Sequence, residues 1–570
     1  MQALTPVTRA LARWYPADVT ASDELADSLE FIESSIEPET IVKAGYTAGA
    51  LSMPLLVPLV FTPLQWYVIP VVMLAVALGV IHSVHTAPHV LAALRRTEAL
   101  GDTPNLIGRA VLRMGIQPST ENAVRFAADT GQGPLASSLS SHIDRAMGTP
   151  RSGLLTFAEE WAEWFPALRR SSYLLSTAQD APAGERTRTL DRSLAAILHG
   201  TRDQMAEFTS AIRGPTTALY AFGILLPLAL VALVPAAAIV EYPVDTWVFI
   251  AVYNVLLPLV IVVASVWLLV RRPVAFPPPS VPHDHPDIPD QLWLRLTWGL
   301  AAGVVASVLT ALLGPPYLAP VAAMGMGLGV TLLALFRPVM VVRNYVRDVE
   351  EHLVDALYLV GRQVTEGRAV EASIELAADR VPGETGDVFE AASGVQRRLH
   401  IGVQEAFLGD YGALRDVPSA RAQGMARLLA IAAEEGRPAG RAIVEMADHL
   451  EELQEVECET RRQLTMVTGT LENTASYFGP LIAGSTVALA GLMAEHVIDD
   501  EAIAQEMLAV DSLGIVVGVY VLTLCLLLTP LSLALRHGLD RALIGYNVGR
   551  SLVFATPIYV VTVGLVELLI

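Results

Sequence analysis

Nine runs of roughly twenty mostly apolar residues interrupt this chain, and a run of that length with few charges is what a helix needs to cross a bilayer core. They are Ala44 to Phe61, Trp66 to Val84, Ala218 to Val240, Trp247 to Val270, Leu292 to Leu313, Tyr317 to Phe336, Tyr477 to Met493, Leu513 to Leu535 and Val553 to Leu569. Between them lie two long polar stretches. The balance of 53% hydrophobic against 17% charged residues, with mean hydropathy +0.47, suits a protein that is part membrane and part water-exposed. The polar stretches show helical periodicity and no strand alternation, with turns at Gly131 to Pro134, Asp180 to Gly184, Val381 to Gly386 and Gly436 to Gly440. The expected fold is therefore all-α, a polytopic helical membrane protein carrying helical-bundle domains.

Those two domains read as copies of one another. Gly115 answers to Gly367, Ala127-Ala128-Asp129 to Ala377-Ala378-Asp379, Pro182-Ala183-Gly184 to Pro438-Ala439-Gly440, Leu194 to Leu450 and Ile197 to Leu453, at an offset that drifts only between 250 and 256 residues. The predicted organisation is a polar N-terminal segment 1–43, a transmembrane hairpin 44–84, a first bundle 85–217, four spans 218–336 with a Pro-rich linker at 273–289, a second bundle 337–474 and three spans 475–570. In the N-terminal segment Ser22 can cap a helix whose stripe is Leu25, Leu29, Ile32 and Ile36, a face suited to packing on a cytoplasmic domain.

The last helix of each bundle carries a near-heptad stripe. It runs through Ile443, Met446, Leu450, Leu453, Leu464, Val467 and Leu471 in the second copy, broken at Glu457 and Thr460, and through Leu190, Leu194, Ile197, Phe208 and Ile212 in the first. Both stripes point straight at a span, which predicts stiff rods leading into the membrane. Pro227, Pro258 and Pro480 are placed to kink spans.

Basic residues set the expected orientation. With the N-terminus inside, the outside connections Thr62 to Gln65, Glu241 to Thr246, Gly314 to Pro316 and Ala494 to Ser512 contain no Lys or Arg, while the inside ones hold Arg271, Arg272, Arg337, Arg536, Arg541 and Arg550. Both bundles then lie in the cytoplasm and the C-terminus outside. Lys43 is the sole lysine and the net charge is −20, an acidic coat of the kind that keeps proteins hydrated in concentrated salt, and one that argues against nucleic-acid binding.

Catalytic signatures are missing from the sequence. The only lysine is followed by Ala44, so no phosphate loop exists, and neither a nucleophile elbow nor an H-E-x-x-H helix occurs. No cofactor or metal is called for. Two cysteines, Cys458 and Cys525, make no disulfide framework. His82, His85 and His89 have metal-like spacing but no nearby carboxylate, and Pro88 disturbs their helix; His283, Asp284, His285 and Asp287 read as solvated linker residues, and His449 as part of an exposed acidic helix face. Ionisable residues that would mark a transport path are few, with Arg295 and Glu567 near span ends and Asn254 uncharged. A multispan transporter or permease with cytoplasmic regulatory domains is thus the alternative reading from another class, and a membrane enzyme stands behind it.

A helical opening such as Val354-Asp355-Ala356-Leu357 with Gly367, the Ala377-Ala378-Asp379 helix end, the Glu-Glu-Gly-Arg-Pro-Ala-Gly turn at Glu434 to Gly440, and a helix from Arg441 past Leu471 into the membrane together resemble the type II secretion F-domain family. The extra spans and the acidic, lysine-poor composition make the chain similar to its archaeal branch, the platforms of archaella and adhesion pili. The resemblance implies a non-enzymatic platform. Its implied partners are a cytoplasmic hexameric secretion ATPase, pilin or archaellin subunits, membrane lipids and further copies of itself. In the first copy Gln179-Asp180-Ala181 replaces Glu434-Glu435-Gly436, so the copies are not expected to meet the motor alike. The residues expected to touch the motor are Arg427, Arg437, Arg441, Glu445 and Asp448, with Arg437 and Arg441 at the exposed turn.

Overall fold

The computed structural model describes residues 5–55, 68–131, 133–149, 152–231, 233, 246–274, 276, 278–279, 281–282, 285–289, 292–435, 437–497 and 510–569. Among them all regular structure is helical, and eight helices are long and apolar enough to cross a membrane. The chain is a multi-pass helical membrane protein. Of the first predicted run, helix α3 (Pro38–Leu55) covers the beginning, and 56–61 lie outside the described residues.

The chain divides into two compact units, Met1–Glu98 and Ala99–Ile570. The first holds α1 (Thr5–Ala12), α2 (Asp23–Phe31), α3 and most of α4 (Val68–Gly101). Ser22 caps α2 as its sequence suggests, its hydroxyl accepting from the Leu25 amide at 3.3 Å. The Leu25, Leu29, Ile36 stripe is spent inside this unit, against Ile41 and Val42 of α3 with Val84 of α4 beside them. Helix α4 does not stop at Val84 but passes through Pro88 to Gly101, so the proline is accommodated within an unbroken helix.

In the second unit two successions of six helices follow one another in the same order. Six helices α5 (Thr103–Ile116), α6 (Thr120–Thr130), α7 (Pro134–Ala146), α8 (Gly153–Trp161), α9 (Pro166–Ala178) and α10 (Ala183–Tyr220) make the first bundle. The path enters the membrane through α11 (Leu226–Val231) and continues in α12 (Thr246–Phe249), α13 (Leu257–Val270) and α14 (Leu292–Leu313). Helix α15 (Ala319–Glu351) leads from a span through Pro338 into the second bundle. There α16 (Leu353–Thr365), α17 (Val370–Arg380), α18 (Gly383–Leu399), α19 (Val403–Leu408), α20 (Ala420–Glu435) and α21 (Arg437–Asn473) repeat the order of α5 to α10. The chain then runs through α22 (Gly479–Val497), α23 (Val510–His537) and α24 (Arg541–Leu569).

Each bundle closes on its rod. The seam residues Leu194, Ile197, Phe208 and Ile212 of α10, and Ile443, Leu453, Leu464 and Leu471 of α21, are all buried. The interruption at Glu457 has a physical reason: its carboxylate, 7% exposed, pairs with Arg421 of α20 and lies 3.7 Å from Arg461. Arg421 also reaches Glu350 of α15 at 3.6 Å. Thr201, the first copy's counterpart of Glu457, turns its hydroxyl back to the Ile197 carbonyl instead, and among the bonds that tie α9 to α10 is a buried one between the Ser171 and Ser193 hydroxyls.

The Pro-rich linker is strapped down where it is described. Arg272, 3% exposed, donates to the carbonyls of Val274, Ala534 and Arg536, satisfying the end of α23. His285, expected in solvent, is buried and bonds the Asp416 carbonyl at 3.0 Å; His283 and Asp284 lie outside the described residues. Arg343 donates to the Pro279 carbonyl and takes both oxygens of Asp540 at 3.1 and 2.9 Å. Removing one partner of so enclosed a pair costs about 3–5 kcal/mol, because the other charge is left buried.

Candidate functional site

Two features organise the second unit: the junction where each rod enters its span, and the cleft where the two bundles meet.

At the junctions the rods do not break. Described helix is continuous from Gly184 to Val231 and from Gly440 to Leu492. Each contains one wide π turn, at Ala221–Leu225 and Thr474–Phe478, and a third lies at Ile250–Leu256. In all three a proline stands two residues past the turn, namely Pro227, Pro480 and Pro258. Proline has no N–H to give and its ring crowds the carbonyl four residues back, so the preceding turn widens and bonds five residues back: Leu226 to Ala221, Gly479 to Thr474 and Leu257 to Val252. At the three prolines predicted to kink spans, the helix widens into these π turns. Polar groups from α23 attend two of them: the Tyr520 hydroxyl donates to the Gly223 carbonyl, the one Pro227 leaves, and the Cys525 thiol donates to Ala475 at 3.1 Å. Just before the second turn Glu472 holds Arg536 of α23 at 3.0 Å and Arg550 of α24 at 3.4 Å. Arg536 and Arg550, two of the basic residues behind the expected orientation, are thus also ties between rod and spans.

The two rods lie against one another, with α5 packed beside α21. Arg202 of α10 meets Glu455 of α21 at 3.0 Å. Nearer the bundle tips the match is unfavourable: burial, and then Asp191 of α10, push the Glu445 carboxyl above the usual carboxylate range, with Asp448 adding to this and Arg441 opposing it. Asp191 is raised likewise, by partial desolvation and by Asp448.

Between the copies is a cavity of about 80 Å³, walled by α5, α6 and α10 on one side and α20 and α21 on the other. Leu194 and Leu450, equivalent in the repeat, both line it. Arg109, Arg421, Arg427 and Asp102 supply its charge. Asn105 donates to Asp102 at 2.9 Å, and Arg109 donates to the Thr130 carbonyl at 2.8 Å. Burial raises the Asp102 carboxyl, an effect that Asn105 and then Arg109 and Arg421 oppose; burial lowers Arg109, Asp102 opposes this, and Arg427 adds a smaller lowering.

The expected motor-facing residues scatter on this framework. Arg427 lines the cavity and is half-buried. Arg441 is exposed at the start of the rod, and the side chain of Arg437 lies outside the described residues. Glu445 is half-buried, while Asp448 is exposed and accepts from the Tyr358 hydroxyl, which also donates to Glu451 at 3.1 Å. The acidic face is therefore partly an internal contact of the second bundle. His449, expected on that face, is half-buried and lines the cavity; burial lowers its imidazole, with Asp448 opposing. In the first unit, His85 bonds the Val42 carbonyl at 3.2 Å and His89 the Ser28 hydroxyl at 2.9 Å. Among the described residues no group of His, Cys, Asp and Glu is arranged to hold a metal. Arg295 is spent on the carbonyls of Leu335 and Pro289.

The cavity could not be found from sequence, because its walls come from both copies. The signal available was the pair of mid-helix glycines, Gly108 and Gly424, that face it.

No protein-family model matches the chain, and neither a curated protein nor a solved structure matches it.

Proposed function

We propose that this chain is the membrane platform of an archaeal type IV pilus-like machine, an archaellum or adhesion pilus, and that it couples a cytoplasmic assembly ATPase to the movement of pilin subunits out of the bilayer. The observation that carries this reading is the continuity of the two rods, the second of which is unbroken helix from Gly440 to Leu492. A force applied to the bundles is delivered to the spans without an intervening loop, and rigid-body tilting of packed helices belongs to the ordinary repertoire of such changes. The clean segregation of Arg residues supports placing both bundles in the cytoplasm, within reach of a motor. In this reading the chain itself hydrolyses nothing, acts as a homo-oligomer, and offers the motor Arg437 together with the exposed Arg441 and Asp448 of the rod start, with Glu445 and Arg427 recessed behind.

The test is capture of the ATPase by the purified protein. The double change Arg437→Glu and Arg441→Glu is expected to weaken capture while leaving insertion intact. The comparison in the first copy is Arg188→Glu, because Arg186 there is engaged with the carbonyls of Ala178 and Ala181. Equal capture by wild type and the double mutant across a salt titration removes the motor from this face.

A further inference from the structure

The inter-copy cavity holds a charge that the fold does not answer. Arg421, on its wall, is neutralised by Glu350 and Glu457. Asp102, the acid on that wall, accepts from Asn105 and faces Arg109 and Arg421. Arg427 makes no hydrogen bond and no ion pair among the described residues, although it is half-buried and stands near enough to Arg109 to repel it. Asp102 outweighs that repulsion at Arg109, but Arg427 has no carboxylate paired with it among the described residues, and unanswered charges in a partly dry cleft gather where a ligand is awaited. The rest of the wall is apolar, with Phe126, Leu194, Leu198, Met425 and Leu450. A cluster of waters would find few partners there.

Glycine adds a second, independent observation. Gly108 in α5 and Gly424 in α20 line the cavity from opposite copies, and a Cβ built on either meets nothing within 4 Å. A glycine inside a helix costs up to about 1 kcal/mol against alanine. No close packing requires these two, and what their missing side chains leave is the space of the cavity.

We propose that this cleft binds a small monocarboxylate with a short apolar tail, its carboxylate taken by Arg427 and Arg109 and its tail by the leucines of the two rods. Guanidinium forks match a carboxylate in plane and in charge. A phosphate group, doubly charged and polar on every side, matches this mostly apolar wall less well than a carboxylate on an apolar tail. Size limits the tail: the cavity, at about 80 Å³, is roughly half the 150 Å³ that accommodates benzene, so about three or four carbons fit. Because the walls belong to both copies, the bound anion favours the arrangement in which they are docked, by mass action.

The experiment uses the purified full chain in lipid nanodiscs at constant ionic strength, with acetate, propionate, butyrate, octanoate, chloride and inorganic phosphate as probes and equilibrium dialysis as the readout. Affinity is expected to rise about fourfold per methylene from acetate to butyrate and to fall at octanoate. Arg427→Gln should lower butyrate affinity at least tenfold while leaving the ligand-free protein no less heat-stable, since it removes a repulsion. Gly424→Leu should fill the cavity, abolish binding and fold at least as well as wild type. No binding of any carboxylate by the wild type overturns the proposal, as does butyrate binding that is undiminished in both variants. Chloride or phosphate bound more tightly than butyrate overturns the ligand class.

Discussion

Arg202 and Glu455 are 253 residues apart in the chain and 3.0 Å apart in space. That separation is within one helical turn of the 256-residue offset relating Leu194 to Leu450, so the two copies meet through nearly equivalent positions of their rods. The packing is not reciprocal throughout, since α5 of the first copy lies beside α21. Both side chains are substantially exposed, and an exposed pair contributes only about 0.2–1 kcal/mol. It therefore reports the geometry more than it holds it. A double-mutant cycle with Arg202→Ala and Glu455→Ala, read by thermal unfolding at the lowest salt the protein tolerates, should give a coupling energy in that range, shrinking as salt is added. No coupling at low salt would separate the rods in solution.

The π turns make a sharper prediction, because a buried carbonyl without a partner is expensive. Tyr520→Phe keeps the ring and removes the donor to Gly223. The expected loss is about 1–3 kcal/mol of stability, with faster amide exchange confined to residues near the turn. An unchanged melting midpoint and unchanged exchange would mean that the Gly223 carbonyl does not depend on Tyr520.

Glu445 gives the rod contact a pH dependence. Its carboxyl is raised by burial first, then by Asp191 and Asp448, against the pull of Arg441. The folded state thus holds a proton that the unfolded state releases, so this group's contribution is present below the ordinary carboxylate range and lost as pH rises through the raised one. Glu445→Gln should stabilise the protein at neutral pH by a few tenths of a kcal/mol, the scale of like-charge neighbours on helices, and change nothing near pH 4. Destabilisation at neutral pH would assign the carboxylate a favourable partner.

The helical fold and the rods were legible because each is written in periodicity, and the three prolines stood out where the helices widen into π turns. What was not legible depends on contacts between distant segments. Pro88 was read as a disturbance, yet α4 passes through it. His285 looked like a linker residue in water until the strap placed it on the Asp416 carbonyl. Arg427 and His449 read as surface charge on single helices, and only the meeting of the two copies turns them into cavity walls. Local pattern shows which face of a helix is apolar, but not which other helix arrives to cover its polar side.

The platform role is tested most directly by deleting the chain from its own cell and counting surface filaments, with pilin levels measured in the membrane fraction. The account predicts that pilins are made and remain in the membrane while filaments vanish, and that the wild-type chain restores them. Filaments in normal number after a clean deletion would contradict it.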